Sequence, residues 1–143
     1  MKKVKKMSTK NGEIIHLPKI LDSRGNLSFF ENSNQIPFDI KRTYWIYDVP
    51  GGAIRGSHAF KESYEFIIAL SGSFDVFLND GEKEVKYSLN RSYYGLNVPN
   101  MLWRRLENFS TNSFALITSS IPYDGNDYIR DFEEFKLIRN EIK

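Results

Sequence analysis

The chain has 143 residues, a formal net charge of +2 and no cysteine. That allows one domain with one core, and it excludes disulfides, thiolate catalysis and thiolate metal ligands. The small charge excludes a general polyanion binder; its excess sits largely in Lys2, Lys3, Lys5 and Lys6, which read as a frayed, solubilising end and not as a nucleic-acid arm. No apolar run approaches the roughly 18 residues that span a bilayer. The N-terminus lacks the apolar stretch of a signal peptide, so a cytosolic setting without membrane contact is expected.

Eleven Phe and eight Tyr favour strands, because aromatic rings pack well on a half-buried pleated surface. Taken in chain order, the candidate strands are Glu13–Leu17, Leu27–Glu31, Lys41–Val49, Ser63–Leu70, Phe74–Asn79, Glu84–Leu89, Tyr94–Val98, Leu102–Glu107 and Ser113–Ser119. Short strands with turn residues between them argue for an all-β sandwich or barrel. Ser71-Gly72 marks one tight turn, and Asp80-Gly81 joins Phe74–Asn79 to the next strand as a hairpin. Within Ser113–Ser119 the apolar run Phe114-Ala115-Leu116-Ile117 predicts a strand buried on both faces. A single helix is expected from Asp127 onward, where Tyr128, Ile129, Phe132, Phe135, Leu137, Ile138 and Ile142 recur at helical spacing. Asp124 or Asp127 would cap it, and Glu133, Glu134, Lys136 and Arg139 give it a charged face. With no repeat or linker, residues 1–143 read as one domain.

One ordered pattern stands out: Gly52, five residues, His58-Ala59-Phe60, four residues, Glu65, six residues, Gly72. On a strand His58 and Phe60 share a face, and Glu65 on the neighbouring strand converges on the same interior. Gly52 and Gly72 permit the sharp reversals at either end. The spacing resembles the first cupin motif, with Phe60 where its second histidine belongs. Pro99 to Asn108 resembles the second motif, with Met101 in place of a glycine and Arg104 in place of a histidine. Only His58 and Glu65 then remain of four ligand positions, and a guanidinium repels a cation, so no metal is expected. The expected fold is an all-β, antiparallel cupin-type β-barrel (jelly roll) with a C-terminal α-helix. A lone core histidine is often inert, and Glu65 and Arg104 could simply pair with each other. Against that, Arg55-Gly56 lies just upstream, and Trp103, Tyr44 and Tyr47 offer ring faces. Several polar groups in an aromatic-lined cavity suit a small polar ligand.

The chain also resembles a more specific family, the nucleotide-sugar 3,4-ketoisomerases of the WxcM-like, FdtA type. The resemblance runs from Asp22-Ser23-Arg24-Gly25-Asn26-Leu27 to the C-terminal helix. It rests on Ile40 to Asp48, Arg55-Gly56-Ser57-His58-Ala59, Leu70-Ser71-Gly72-Ser73-Phe74, Asp80-Gly81, Tyr94-Gly95-Leu96, Trp103, Asp127-Tyr128-Ile129-Arg130 and Phe135. It implies a homodimer that uses neither metal nor cofactor and acts on a dTDP-linked 4-keto-6-deoxyhexose, moving the carbonyl from C4 to C3. The product would serve synthesis of a 3-amino-3,6-dideoxy sugar for surface polysaccharide. Such chemistry needs an acid/base group and a donor for the developing oxyanion. The resemblance assigns the proton to His58; with the departures at Phe60 and Arg104, one option is that His58 alone shuttles it, with Tyr44 or Glu65 assisting and Arg104 stabilising the oxyanion. Arg42 and Arg55 match positions suited to the diphosphate, and Trp103 completes the expected substrate site. Phe60 and Arg104 at positions that are histidine in the family motivate an alternative: a catalytically impaired nucleotide-sugar-binding cupin, acting as a partner or regulatory subunit.

Overall fold

The computed structural model describes residues 11–142; the basic tail lies outside them. Its elements are β1 (Glu13–His16), β2 (Lys19–Ile20), β3 (Leu27–Ser28), β4 (Arg42–Tyr47), β5 (Arg55–Phe60), β6 (Glu65–Ser71), β7 (Phe74–Asn79), β8 (Glu84–Leu89), β9 (Tyr94–Val98), β10 (Trp103–Glu107), β11 (Phe114–Ser119), β12 (Tyr128–Ile129) and α1 (Phe132–Glu141). Two five-stranded antiparallel sheets, ordered β1-β9-β6-β11-β4 and β12-β5-β10-β7-β8, face each other, while β2 and β3 form a separate hairpin. This is the expected cupin-type arrangement, with each sheet hydrogen-bonded within itself.

The layers follow from side-chain alternation. Along β7, Phe74, Val76 and Leu78 are buried between the sheets, where they meet Ile67, Leu96, Leu106 and Ile117. The intervening Asp75, Phe77 and Asn79 turn outward. β6 is apolar on both faces, because Phe66 and Ile68 point away from the sandwich into a second cluster with Leu17, Ile36 and Phe38. A strand covered on both sides carries a continuous apolar run in place of alternation. β11, between β6 and β4, is buried along most of its length for the same reason.

Three details differ from the sequence-based expectation. The strand that carries the histidine, β5, is expected only from the motif spacing around His58 and not from composition, because Arg55-Gly56-Ser57 is not β-like; it begins at Arg55. Tyr128 and Ile129 do not begin the helix. They form β12, paired in register with Phe60 and Ala59 of β5. The helix starts at Phe132, where the Asp131 carboxylate accepts from the Glu134 backbone N–H at 3.1 Å. Asp124 instead caps a short 3-10 turn at Gly125–Asp127, and Asp127 is buried, accepting from the Ser63 hydroxyl at 2.6 Å and the Glu62 N–H at 2.8 Å. The helix closes the outer face of the second sheet, with Phe135 buried against Ala59, Met101 and Ile129. Gly52 and Gly72 do adopt positive φ, +82° and +66°, and a Cβ at Gly72 would meet the Ser113 Cα at 2.7 Å.

Candidate active site

β4 lies at one edge of the first sheet, and β5 and β10 are neighbours in the second. Alternation turns Tyr44 inward from β4, His58 and Phe60 inward from β5, and Arg104 inward from β10. Arg104 and His58 are direct cross-strand partners, so their side chains stand side by side. Tyr44, Arg55, His58, Arg104, Tyr128 and Arg130 line one cavity of about 400 Å³.

Beneath this cavity three side chains form a closed polar triangle. The Arg104 Nε lies 2.7 Å from Glu65 Oε1, and both side chains are only 1% exposed. Arg104 Nη2 donates to the Tyr44 hydroxyl at 2.8 Å, and that hydroxyl donates to Glu65 Oε2. A buried guanidinium needs such a counter-ion, because desolvation of a lone charge costs several kcal/mol. Burial pushes the Glu65 carboxyl upward, opposed by Arg104 and the Tyr44 hydroxyl. Burial likewise pushes the Tyr44 phenol above its ordinary value, so Tyr44 stays protonated. Gly56 explains how the guanidinium fits: its φ is +71°, and a Cβ there would lie 2.7 Å from Arg104 Nη1.

Among the buried nitrogens without a hydrogen-bond partner are His58 Nε2 and Arg104 Nη1, which face the cavity from neighbouring strands. His58 is pulled from 6.5 to about 2 by burial first, and then by the Arg104, Arg130 and Arg42 guanidiniums. The imidazole is therefore neutral, and in the free site it is a weak base until a ligand's negative charge offsets those cations; beside it stands a donor that has hydrogen-bonding capacity to spare. Arg42 sits at the rim, donating to the Tyr128 hydroxyl at 3.2 Å and stacking over the Tyr44 ring at 4.7 Å. Arg55 and Arg130 are exposed cavity-lining residues.

Of the residues expected from sequence, the structure thus brings together Tyr44, His58, Glu65, Arg104, Arg55 and Arg42. It does not bring Trp103. The indole packs edge-on to Phe132, with ring centroids 5.3 Å apart, and against Phe135 at 5.8 Å, so it belongs to the seam between sheet and helix. Tyr128 is the residue that sequence reading missed, because its helical spacing to Phe132 and Phe135 masked a strand. The signal that could have found it was Asp131, a better N-cap than Asp127, placed just before the charged helical run.

The four cupin ligand positions, His58, Phe60, Glu65 and Arg104, do converge. The Arg104 guanidinium lies 5.6 Å over the Phe60 ring and contacts Glu65. Such a donor set does not fit a divalent cation, and no cluster of three or more His, Cys, Asp or Glu occurs among the described residues.

Fold and site together define a cupin-type sandwich in which the metal-ligand positions hold a buried polar triangle beside a neutral histidine. The FdtA family model (WxcM-like, C-terminal) matches residues 10–140, and the chain belongs to that family. A TDP-4-oxo-6-deoxy-alpha-D-glucose-3,4-oxoisomerase from Aneurinibacillus thermoaerophilus is 38% identical over 87% of this chain and 89% of its own length. A 3,4-ketoisomerase structure from Helicobacter canadensis is 40% identical, covers 90% of this chain and 97% of that one, and superposes with a TM-score of 0.88. The sugar 3,4-ketoisomerase QdtA from Thermoanaerobacterium thermosaccharolyticum, solved in complex with TDP, is 31% identical over 94% of this chain and 98% of that one, with a TM-score of 0.90.

Proposed function

We propose that this chain is a TDP-sugar 3,4-ketoisomerase that converts a TDP-4-keto-6-deoxyhexose into its 3-keto isomer. The observation that carries the reading is the pair of unpartnered buried nitrogens, a neutral His58 Nε2 and a cationic Arg104 Nη1, on cross-strand neighbours lining one cavity. The C4 ketone acidifies the C3 proton. His58 takes that proton, and the resulting enediolate places negative charge on oxygen, where Arg104 donates. The C3 hydroxyl proton passes to the C4 oxygen across the enediolate, and the imidazolium returns the carbon-derived proton to C4 as the C3 oxygen becomes the carbonyl, so protons balance and no electron or group leaves the substrate. Tyr44, its proton held on Glu65, orients the guanidinium. Arg42, Arg55 and Arg130 supply forked donors for the diphosphate.

The cytoplasm, where nucleotide sugars are made, is the proposed setting. A carbonyl at C3 is what an aminotransferase needs for a 3-amino-3,6-dideoxy sugar of a surface polysaccharide. A homodimer is proposed on two exposed apolar features: the β2–β3 hairpin with Ile20, Leu21 and Leu27, and Trp45 and Tyr47 stacked on Phe114 of the outer sheet face. No helix among the described residues is long and apolar enough to cross a membrane.

The test is incubation with TDP-4-keto-6-deoxyglucose followed by NMR of the products. A 3-keto product formed at a rate proportional to protein supports the reading. Tight TDP binding with no 3-keto product would instead favour the impaired binder.

A further inference from the structure

Tyr128 occupies a place that the reaction as described leaves unused. β12 is only two residues long, yet its register sets Tyr128 opposite Phe60, on the face that Phe60 shares with His58. Three rings then close on one another. The centroids are 4.8 Å apart for His58 and Phe60, 4.9 Å for His58 and Tyr128, and 4.7 Å for Phe60 and Tyr128, all steeply tilted. Edge-to-face contacts of this kind restrict ring rotation, which matters for an imidazole with no hydrogen bond at Nε2 to orient it.

The same side chain gathers the cations. Its hydroxyl accepts from Arg42 Nη2 at 3.2 Å, and the Arg130 guanidinium lies 4.2 Å over its ring. Arg42 is further enclosed by the Tyr44 and Tyr123 rings at 4.7 and 5.3 Å. A flexible guanidinium gains most for anion binding when it is held in place beforehand.

We propose that Tyr128 is the positioning residue of the site: its ring sets the orientation of His58, while its hydroxyl and ring face hold Arg42 and Arg130 for an anionic ligand. The proposal rests on the reading of His58 as the base, and it separates into two halves that different substitutions probe. Tyr128→Phe keeps the ring and removes the anchor of Arg42. Tyr128→Leu removes the ring.

For Tyr128→Phe, KM and the TDP dissociation constant rise about tenfold, the size expected for losing one hydrogen bond to a charged group, while kcat falls less than about threefold. For Tyr128→Leu, kcat falls about 100-fold, in the range expected when a general base is misplaced, and the His58 imidazole NMR signals broaden or shift. A merely structural role would lower the melting temperature of both variants and leave kcat and KM per folded molecule intact. Tyr128→Phe with TDP affinity within twofold of wild type would overturn the cation half. Tyr128→Leu, folded and with kcat within twofold, would overturn the base half. If Tyr128→Leu does not fold, the His58 signals in Tyr128→Trp decide the base half, since an indole cannot keep the same three-ring packing; unchanged signals overturn it. TDP binding and the His58 signals are read without turnover, so a wild-type protein that binds TDP yet isomerises nothing would refute the functional reading while both halves of this proposal were still decided.

Discussion

Replacing Glu65 by Gln is the sharpest perturbation of the buried triangle. The amide keeps the shape of the carboxylate and removes its charge, leaving Arg104 almost fully buried without a counter-ion. Breaking a buried pair on one side costs about 3–5 kcal/mol. At roughly 4 °C per kcal/mol for a domain of this size, the melting temperature falls by about 12–20 °C. The control is Glu84→Gln. Glu84 also pairs with an arginine, Arg105, at 2.5 Å, but their side chains are 37% and 27% exposed, and a pair so placed is worth about 0–1 kcal/mol. Melting followed by circular dichroism separates the two. A Glu65→Gln shift no larger than that of Glu84→Gln would refute the argument that a buried ion pair organises this site. The double replacement Glu65→Leu with Arg104→Met removes both charges together, so it recovers much of the stability lost in Glu65→Gln and none of the activity.

The folded-state value of His58 lies below its unfolded value, so the unfolded chain takes up the proton first. Its contribution to stability is complete above pH 6.5 and is lost as pH falls towards about 2, with a slope of about 1.4 kcal/mol per pH unit. His58→Gln flattens that slope in denaturant titrations at pH 4.5–6.5; an unchanged slope contradicts the assignment. In wild type, TDP raises the NMR-observed value for His58, because its phosphates offset the Arg130 and Arg42 charges, and no change on saturation would count against the anion site. Gly56→Ala drives a Cβ into Arg104 Nη1 at a positive φ, so kcat falls at least about tenfold with a loss of about 1 kcal/mol or more in stability; wild-type turnover would show that the close approach is immaterial. Phe60→His places an imidazole beside the Arg104 cation and loses apolar packing. It lowers stability by about 1–3 kcal/mol and does not raise kcat, whereas a tenfold gain would mark the native site as impaired.

How far the sequence revealed this site depended on which physical signal each residue leaves. His58, Glu65 and Arg104 were legible because glycine turns and strand alternation fix which side chains meet inside a sandwich. The strong hairpin β7–β8 was legible because Phe74, Val76 and Leu78 alternate cleanly. β12 was not, and β5 was legible only through the motif spacing around His58. Arg55-Gly56-Ser57 carries no β-like composition, and its backbone is shaped by the close approach of Arg104. Tyr128 and Ile129 are held as a strand only by pairing with Phe60 and Ala59, a long-range contact that overrides their helical spacing to Phe132. Trp103 was misplaced for a related reason. Its position next to Arg104 is adjacent in sequence, but neighbours on a strand point to opposite faces, which sends the indole to the helix and the guanidinium to the cavity.

The central claim is that His58 moves the proton between C3 and C4. Its most direct test is hydrogen–deuterium exchange at C3 of TDP-4-keto-6-deoxyglucose in deuterated water, followed by NMR with wild type and with His58→Asn. TDP binding is measured on both proteins to show that the sites are intact. Rapid C3 exchange by wild type, and a loss of at least about 100-fold in His58→Asn with TDP binding retained, is the expected result. Undiminished exchange in the Asn variant would contradict the account and move the base elsewhere in the cavity.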